Sequence, residues 1–291
     1  MPIQLDRASY TYSPGTVHES PALQEVSSTI GDGERVAIIG PTGSGKSTLL
    51  QLLNGLLKAS SGSVKVDEQD LAAAKTDLTA IRQNVGMVFQ YPEHQLFADT
   101  VFKDIAFGLK QEKLSPESLQ NRIGQAMAQM GLSYEQLAER SPFSLSGGEQ
   151  RRVAIAGVIA MRPKFLLLDE PTAGLDPQGR RELLQLLQSL QQRQGLGLIL
   201  VSHDMRDVVA LCGRVLVIDR GHIIMDGNLT EVFAQADRLY RLGLEPPPAA
   251  ALIHSLRQRG APLSTGVLNL EQAEREILAW LMPSDIIVDN P

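Results

Sequence analysis

The run Gly40-Pro41-Thr42-Gly43-Ser44-Gly45-Lys46-Ser47 constrains this chain more than any other feature, because it lies between an aliphatic stretch, Arg35 to Ile39, and a helix-prone one, Ser47 to Leu57. It satisfies G-x-x-x-x-G-K-[ST] in the strand-then-helix context that a phosphate-binding loop requires. Glycines let backbone amides turn inward around phosphate oxygens. Lys46 supplies a cation to the β and γ oxygens, the Ser47 hydroxyl can ligate Mg²⁺, and the helix N-terminus adds positive potential. Gly40 through Thr48 are therefore the expected phosphate contacts. The competing reading is a glycine-rich turn that binds nothing, and a second motif weighs against it.

That second motif is Phe165-Leu166-Leu167-Leu168-Asp169-Glu170, an apolar strand that ends in two acids. Asp169 suits the Mg²⁺ shell and Glu170 the polarising of an attacking water. Taken alone, such acids could equally cap the turn at Pro171-Thr172. A third candidate is Ser146-Gly147-Gly148, which precedes the helix-prone Glu149 to Met161. It makes another amide-rich helix start able to receive an anion, or an ordinary helix cap.

Further strands are expected at Ser63 to Asp67, Val85 to Phe89, Gly197 to Val201 and Val215 to Ile218, and a further helix at Arg180 to Gln194. Buried apolar strands that alternate with helices imply an α/β fold with parallel members. Strand signals thin out between Gln90 and Leu145, where Glu117 to Met130 and Tyr134 to Ala138 have helical composition. This reads as a helical subdomain, about residues 91–160, inserted into a nucleotide-binding domain spanning 1–243. Arg220-Gly221 marks a tight turn before a return strand at His222 to Met225, and a helix is expected from Thr230 to Leu242. Pro246-Pro247-Pro248 reads as a stiff linker to a small C-terminal appendage, 244–291.

With 27 basic and 33 acidic residues the net charge is -6, which argues against general adherence to nucleic acid or anionic lipid. Cys212 is the single cysteine, so no internal disulfide is possible, and its apolar neighbours Val208 to Leu211 suggest a buried thiol in a reducing compartment. No window resembles an export signal or an uninterrupted apolar span of about 18 residues.

Leu145-Ser146-Gly147-Gly148-Glu149-Gln150 resembles the signature motif of ABC ATPases. The resemblance covers roughly residues 1–240 and implies a P-loop NTPase of the ABC type, an α/β fold with a mixed sheet core, an inserted helical subdomain and a small C-terminal appendage. It implies ATP and Mg²⁺ as ligands. It also implies that Ser146, Gly147 and Gly148 act in trans on the γ-phosphate held by a partner's phosphate loop. Gln90 resembles the Q-loop glutamine, a catalytic and metal-contacting position. Asp176 resembles the D-loop aspartate, His203 the switch histidine, and Tyr12 the aromatic that stacks on adenine, with Tyr10 as the alternative on the same strand face. Glu170, His203, Lys46 and Gln90 thus form the implied catalytic set, and Ser47, Gln90 and Asp169 the implied metal set.

Gln90-Tyr91-Pro92-Glu93-His94-Gln95-Leu96-Phe97, with Asp99-Thr100-Val101 and Asp104 to Gly108, is similar to energy-coupling-factor ATPases of the second kind. Leu109 departs from the proline common there, and the appendage matches only loosely. This resemblance implies an ATPase that powers uptake of vitamins or transition-metal ions. Its implied partners are a second ATPase, related or identical, a transmembrane coupling subunit and a substrate-binding membrane subunit, at the cytoplasmic face of the membrane. Nucleic acid is not an expected partner. Other readings are an ABC transporter subunit with a dedicated permease and a non-transport ABC ATPase. His94 has no ligand-spaced His or Cys beside it, which favours a surface contact. Leu96, Phe97 and Phe102 line the family's coupling groove or simply pack.

Overall fold

Strict period-2 burial on two faces organises the central sheet. In β3 (Arg35–Ile39) Val36 and Ile38 face one apolar cluster while Ala37 and Ile39 face another, and β7 (Phe165–Asp169), β8 (Gly197–Val201) and β9 (Arg214–Asp219) alternate likewise. Strands apolar on both sides are what a parallel sheet covered on both faces demands. The computed structural model describes residues 1–281.

Two sheets are present. One joins β1 (Ile3–Tyr12), β2 (Ser20–Ile30), β4 (Ser61–Val66) and β5 (Gln69–Asp70) in the order β2-β1-β4-β5, all antiparallel. The other runs β10-β9-β3-β8-β7-β6, with β6 (Val85–Val88) parallel to its neighbour and β10 (His222–Asn228) antiparallel to β9. The core sheet is therefore mixed. The expected Ser63 to Asp67 strand lies in the antiparallel sheet rather than beside β3, since its partners are β1 and β5. One apolar cluster, with α1 (Lys46–Leu53) inside it, fills the space between the two sheets.

The opposite face of the central sheet is covered by helices. After α2 (Leu78–Asn84) and β6 come α3 (Val101–Phe107), α4 (Pro116–Gln129), α5 (Tyr134–Leu137) and α6 (Gly147–Ile159). Ile105, Ile123, Met127, Val153 and Ile159 from these helices join the cluster under β7 and β8. The chain returns through α7 (Pro177–Gln194) and α8 (Met205–Leu211), the latter ending at buried Cys212.

The expected helix over Thr230 to Leu242 is two helices, α9 (Leu229–Phe233) and α10 (Ala236–Arg241). Neither glycine nor proline breaks it; Gln235 leaves the helical region at φ -91°, ψ 46°, and burial of Phe233 and Leu239 in the same core decides the bend. Pro246 and Pro247 are buried and Pro248 opens α11 (Pro248–Gln258) at its first turn, where proline's fixed φ is tolerated. The run expected as a stiff linker is thus a packed corner, with Pro246 and Pro247 buried. With α12 (Leu270–Leu281), α11 encloses a small separate cluster of Ala249, Ile253, Leu263, Val267 and Ala273. Residues 282–291 of the expected appendage lie outside the described residues.

Candidate active site

Strand order delivers the site. β3, β8, β7 and β6 are adjacent and parallel, so the segments leaving their carboxyl ends converge on one edge, where ligands of open α/β sheets bind. Those segments are the Gly40–Ser47 loop, His203, the Asp169-Glu170 pair and Gln90. Val88 pairs with Leu168, which brings exposed Gln90 level with Glu170.

The phosphate loop needs its glycines for two reasons. Gly43 and Gly45 sit at φ +78° and +108°, and a Cβ on Gly45 would lie 2.5 Å from the Ala22 carbonyl. A Cβ on Gly40 would meet the Ile218 carbonyl. The loop is thereby pressed between β2 and β9, with Gly221 N–H donating to the Ser44 carbonyl at 3.0 Å. Lys46 Nζ donates to the carbonyls of Gly40 and Pro41, each at 2.8 Å. Burial lowers its pKa against the raising effect of Glu170 and Asp169. Ser44 Oγ is buried with no partner among the described residues. An orphaned hydroxyl inside a glycine cradle beside a lysine fits a triphosphate, which supplies the missing acceptor.

Asp169, the last residue of β7, is 7% exposed; burial raises its pKa, opposed by a hydrogen bond with Ser47 and the charge of Lys46. Pairing of this carboxylate with the Ser47 hydroxyl is the donor set that suits a hard divalent cation. Glu170 takes φ +50°, a left-handed conformation that costs a non-glycine residue about 1–2 kcal/mol. Its amide donates to the Val201 carbonyl at 2.9 Å, which ties it to β8, and its Oε2 lies 2.8 Å from His203 Nδ1. Burial pushes the Glu170 pKa up and the His203 contact pulls it back.

Tyr12 ends β1, partly exposed, with its hydroxyl 3.1 Å from Thr48 Oγ1 on α1. Tyr10 packs edge-on against it at 4.8 Å and, partly buried, against the inter-sheet core, so Tyr12 is the more exposed of the two rings.

Ser146 caps α6 in a reciprocal capping box with Glu149, and a Cβ on Gly147 or Gly148 would meet nothing within 4 Å. Ser146, Gly147 and Gly148 border a cavity of about 370 Å³ whose far wall is Asp176, Gln178 and Glu182. Asp176 caps α7 by accepting from Gln178 and Gly179 N–H at 2.9 and 2.8 Å. No phosphate-loop residue lines this cavity. Within one chain the structure thus brings together Lys46, Ser47, Asp169, Glu170 and His203, leaves Gln90 exposed at the same sheet edge, and keeps the Ser146 group apart with Asp176.

Leu96 is buried, whereas Phe97 and Phe107 are exposed and pack edge-to-face at 4.9 Å, with Lys110 Nζ over the Phe107 ring. His94 stacks on Tyr91, and no metal-holding cluster of His, Cys, Asp or Glu occurs among the described residues.

Residues 23–173 match the family model described as ABC transporter. An energy-coupling factor transporter ATP-binding protein EcfA2 of Clostridium acetobutylicum is 49% identical over 281 residues, 97% of this chain and 98% of the relative. The protein of the same name from Symbiobacterium thermophilum is 50% identical over 94% of each. The chain belongs to the ABC transporter family. Its relatives place this ABC ATPase in the energy-coupling-factor branch, in which ATP hydrolysis is coupled to transport. Two solved structures are similar to the ABC ATPase. One is cbiO1 of Clostridium perfringens, part of the ABC transporter complex cbiONQ, at TM-score 0.73 and 38% identity, covering 87% of this chain and 98% of that one. The other is a dimeric post-hydrolysis state of the cassette MJ0796 bound to ADP and Pi, at TM-score 0.70 and 31% identity over 78% and 98%. Among the described residues of the ABC ATPase no helix is long and apolar enough to cross a membrane.

Reading the sequence alone missed Glu93, Arg151, Thr172, Arg180 and Asp207, which form buried polar contacts around the site. Nothing in the string Glu149-Gln150-Arg151-Arg152 marks the first arginine as the buried one. Its partners come from segments far along the chain.

Proposed function

We propose that this chain is one of two related ATPases of an energy-coupling-factor importer, and that each ATP is shared between the phosphate loop of one subunit and the Ser146 group of the other. One observation carries the reading: the signature cavity holds Ser146 and Asp176 but no phosphate-loop residue, so each chain presents two complementary half-sites. A second ATPase, or a second copy of this one, completes both.

In this reading Tyr12 stacks on adenine and the Gly40–Thr48 amides and hydroxyls hold the phosphates. Lys46 exchanges its loop carbonyls for the β and γ oxygens and stabilises charge as the phosphoryl group leaves. Ser47 and Asp169 hold Mg²⁺ with Gln90 at the open side; the ion, when bound, neutralises phosphate charge. Glu170 orients and deprotonates water, and His203, in contact with Glu170 at 2.8 Å, fixes the direction of that carboxylate. The exposed Phe97 and Phe107 pair supports a docking surface for a membrane coupling subunit, and the exposed Leu278, Trp280 and Leu281 of α12 support a dimer contact through the appendage. The cargo class, vitamins or transition-metal ions, is bound by a separate membrane subunit, with this chain peripheral on the cytoplasmic side.

The test is purification of the tagged chain from membranes with identification of its partners and assay of ATP-driven uptake. A related ATPase with a coupling protein and small membrane binding proteins supports the reading; one dedicated permease, or soluble partners alone, refutes it. In the assembled complex Glu170→Gln should bind ATP and lose turnover by about 10²–10⁴-fold.

A further inference from the structure

Arg151 is only 3% exposed, yet it is not a lone ion-pair partner. Its Nε and Nη2 donate to the two carboxylate oxygens of Glu93 at 3.0 and 2.7 Å, and its Nη1 donates to the carbonyls of Pro171 at 3.1 Å and Ala173 at 2.6 Å. Those carbonyls flank Thr172, in the turn that leaves Glu170 and leads to Asp176. The Thr172 hydroxyl, on the other side of the turn, donates to Asp207 Oδ2. Asp207 is fully buried and is held by Arg180 at 2.6–2.7 Å. Arg180 also pairs with Asp204, the neighbour of His203, and His203 returns to Glu170.

A buried ionic cluster of this kind is poor evidence for stability, because apolar replacements of equal volume are often as stable or more so. What it fixes is geometry. The turn behind Glu170 is clasped from one side by α6 and Glu93, and from the other by α7 and α8.

Resting on the catalytic reading above, we propose that Arg151 and Asp207 are positioning residues that clasp the Pro171–Ala173 turn. Glu93, Arg151, Thr172, Asp207 and Arg180 then form one continuous path from the segment beside Gln90 to His203. Displacing Glu93 moves Arg151, Arg151 moves the two carbonyls, and Glu170 and His203 lose register together. None of Glu93, Arg151, Thr172, Asp207 and Arg180 is among the residues that the catalytic reading gives to the nucleotide, so the path acts on the rate of the chemical step and leaves ATP binding in place.

The experiment compares Glu93→Gln, Thr172→Val, Thr172→Ala, Thr172→Ser and the double variant Glu93→Gln/Thr172→Val in the assembled transporter, beside Glu170→Gln. It measures kcat and KM for ATP together with the melting temperature. Glu93→Gln, Thr172→Val and Thr172→Ala should each lower kcat by roughly ten- to a hundredfold, the cost of small misplacement of a reacting group, with KM changed by less than about threefold and no correlation with melting temperature. Thr172→Ser, which keeps the hydroxyl, should restore most of the rate. Glu93 and Thr172 share no contact, so independent effects would multiply; a single clasp requires the double variant to be no worse than the poorer single one. Thr172→Ala keeps the test alive where Thr172→Val fails to assemble. Multiplying losses, a raised KM at unchanged kcat, or a serine variant as poor as the valine one overturns the clasp. Wild-type turnover by Glu170→Gln overturns the catalytic reading and the clasp with it, whereas an inert Glu170→Gln beside fully active Glu93→Gln and Thr172→Val overturns the clasp alone.

Discussion

Gly45→Ala isolates the close approach between the phosphate loop and the antiparallel sheet, and Gly43→Ala is its internal control. Both residues lie at positive φ, +78° for Gly43 and +108° for Gly45, so both substitutions incur the left-handed penalty of about 1–2 kcal/mol. They differ in space. A Cβ on Gly43 meets nothing within 4 Å, whereas one on Gly45 lies 2.5 Å from the Ala22 carbonyl and 2.8 Å from Leu23 Cδ2. The carbonyl belongs to β2 and cannot rotate away, so relief requires moving the loop or the strand. Forcing an extra carbon into such a contact costs about 1–3 kcal/mol. Gly45→Ala should therefore be less stable than Gly43→Ala by about 1–3 kcal/mol, a melting difference of roughly 2–10 °C. Thermal unfolding of the two variants without nucleotide measures it, and ATP affinity should fall further for Gly45→Ala because its amide opens α1. Equal melting temperatures would refute the claim that β2 presses on the loop.

Burial raises the pKa of Glu170 and the His203 contact lowers it; with Glu170 as the base of the proposed mechanism, activity falls as pH drops through its pKa. The acid limb of kcat/KM for the free enzyme should lie above the ordinary carboxylate value of 4.5, and His203→Ala should move it to still higher pH; an unmoved limb would separate the two residues. Arg180→Met leaves buried Asp207 without its cation and should cost about 3–5 kcal/mol by denaturant titration. The same variant leaves Asp204 with Arg206 as its single cation; burial raises the Asp204 pKa, but Arg206 and Arg180 together hold it well below 3.8. That depressed pKa contributes stability present above the unfolded value and lost as pH falls through the folded one, so wild type should keep its margin over the variant near neutrality and lose part of it in strong acid. Cys212 is buried and its thiol pKa is pushed up by that burial, so a thiol reagent should label the denatured chain and leave the native one unmodified.

The motifs legible in the sequence are those whose chemistry is local in the chain. Gly40 to Ser47 carries its own turn and helix start, Phe165 to Glu170 its own strand and acids, and Ser146 its own capping box with Glu149; adjacent backbone amides and side chains suffice, so order along the chain is enough. Apolar runs such as Gly197 to Val201 were equally plain, because a strand buried on both faces reads as a near-continuous hydrophobic run. Tertiary structure alone decided the rest. β1 and β2 gave a weaker signal because one face is largely exposed, and Ser61–Val66 joined them through hydrogen bonds that no local pattern specifies. The preference for Tyr12 over Tyr10 rests on resemblance alone; what the fold adds is that the Tyr12 ring is exposed and its hydroxyl lies 3.1 Å from Thr48 Oγ1 while Tyr10 packs inward. Arg151, two residues past Glu149, looks like any surface arginine until Glu93 and the carbonyls of Pro171 and Ala173 close around it. Covalent neighbours determine which amides can face a phosphate, but a buried charge is placed by partners dozens of residues away, and only the folded chain brings them within hydrogen-bond reach.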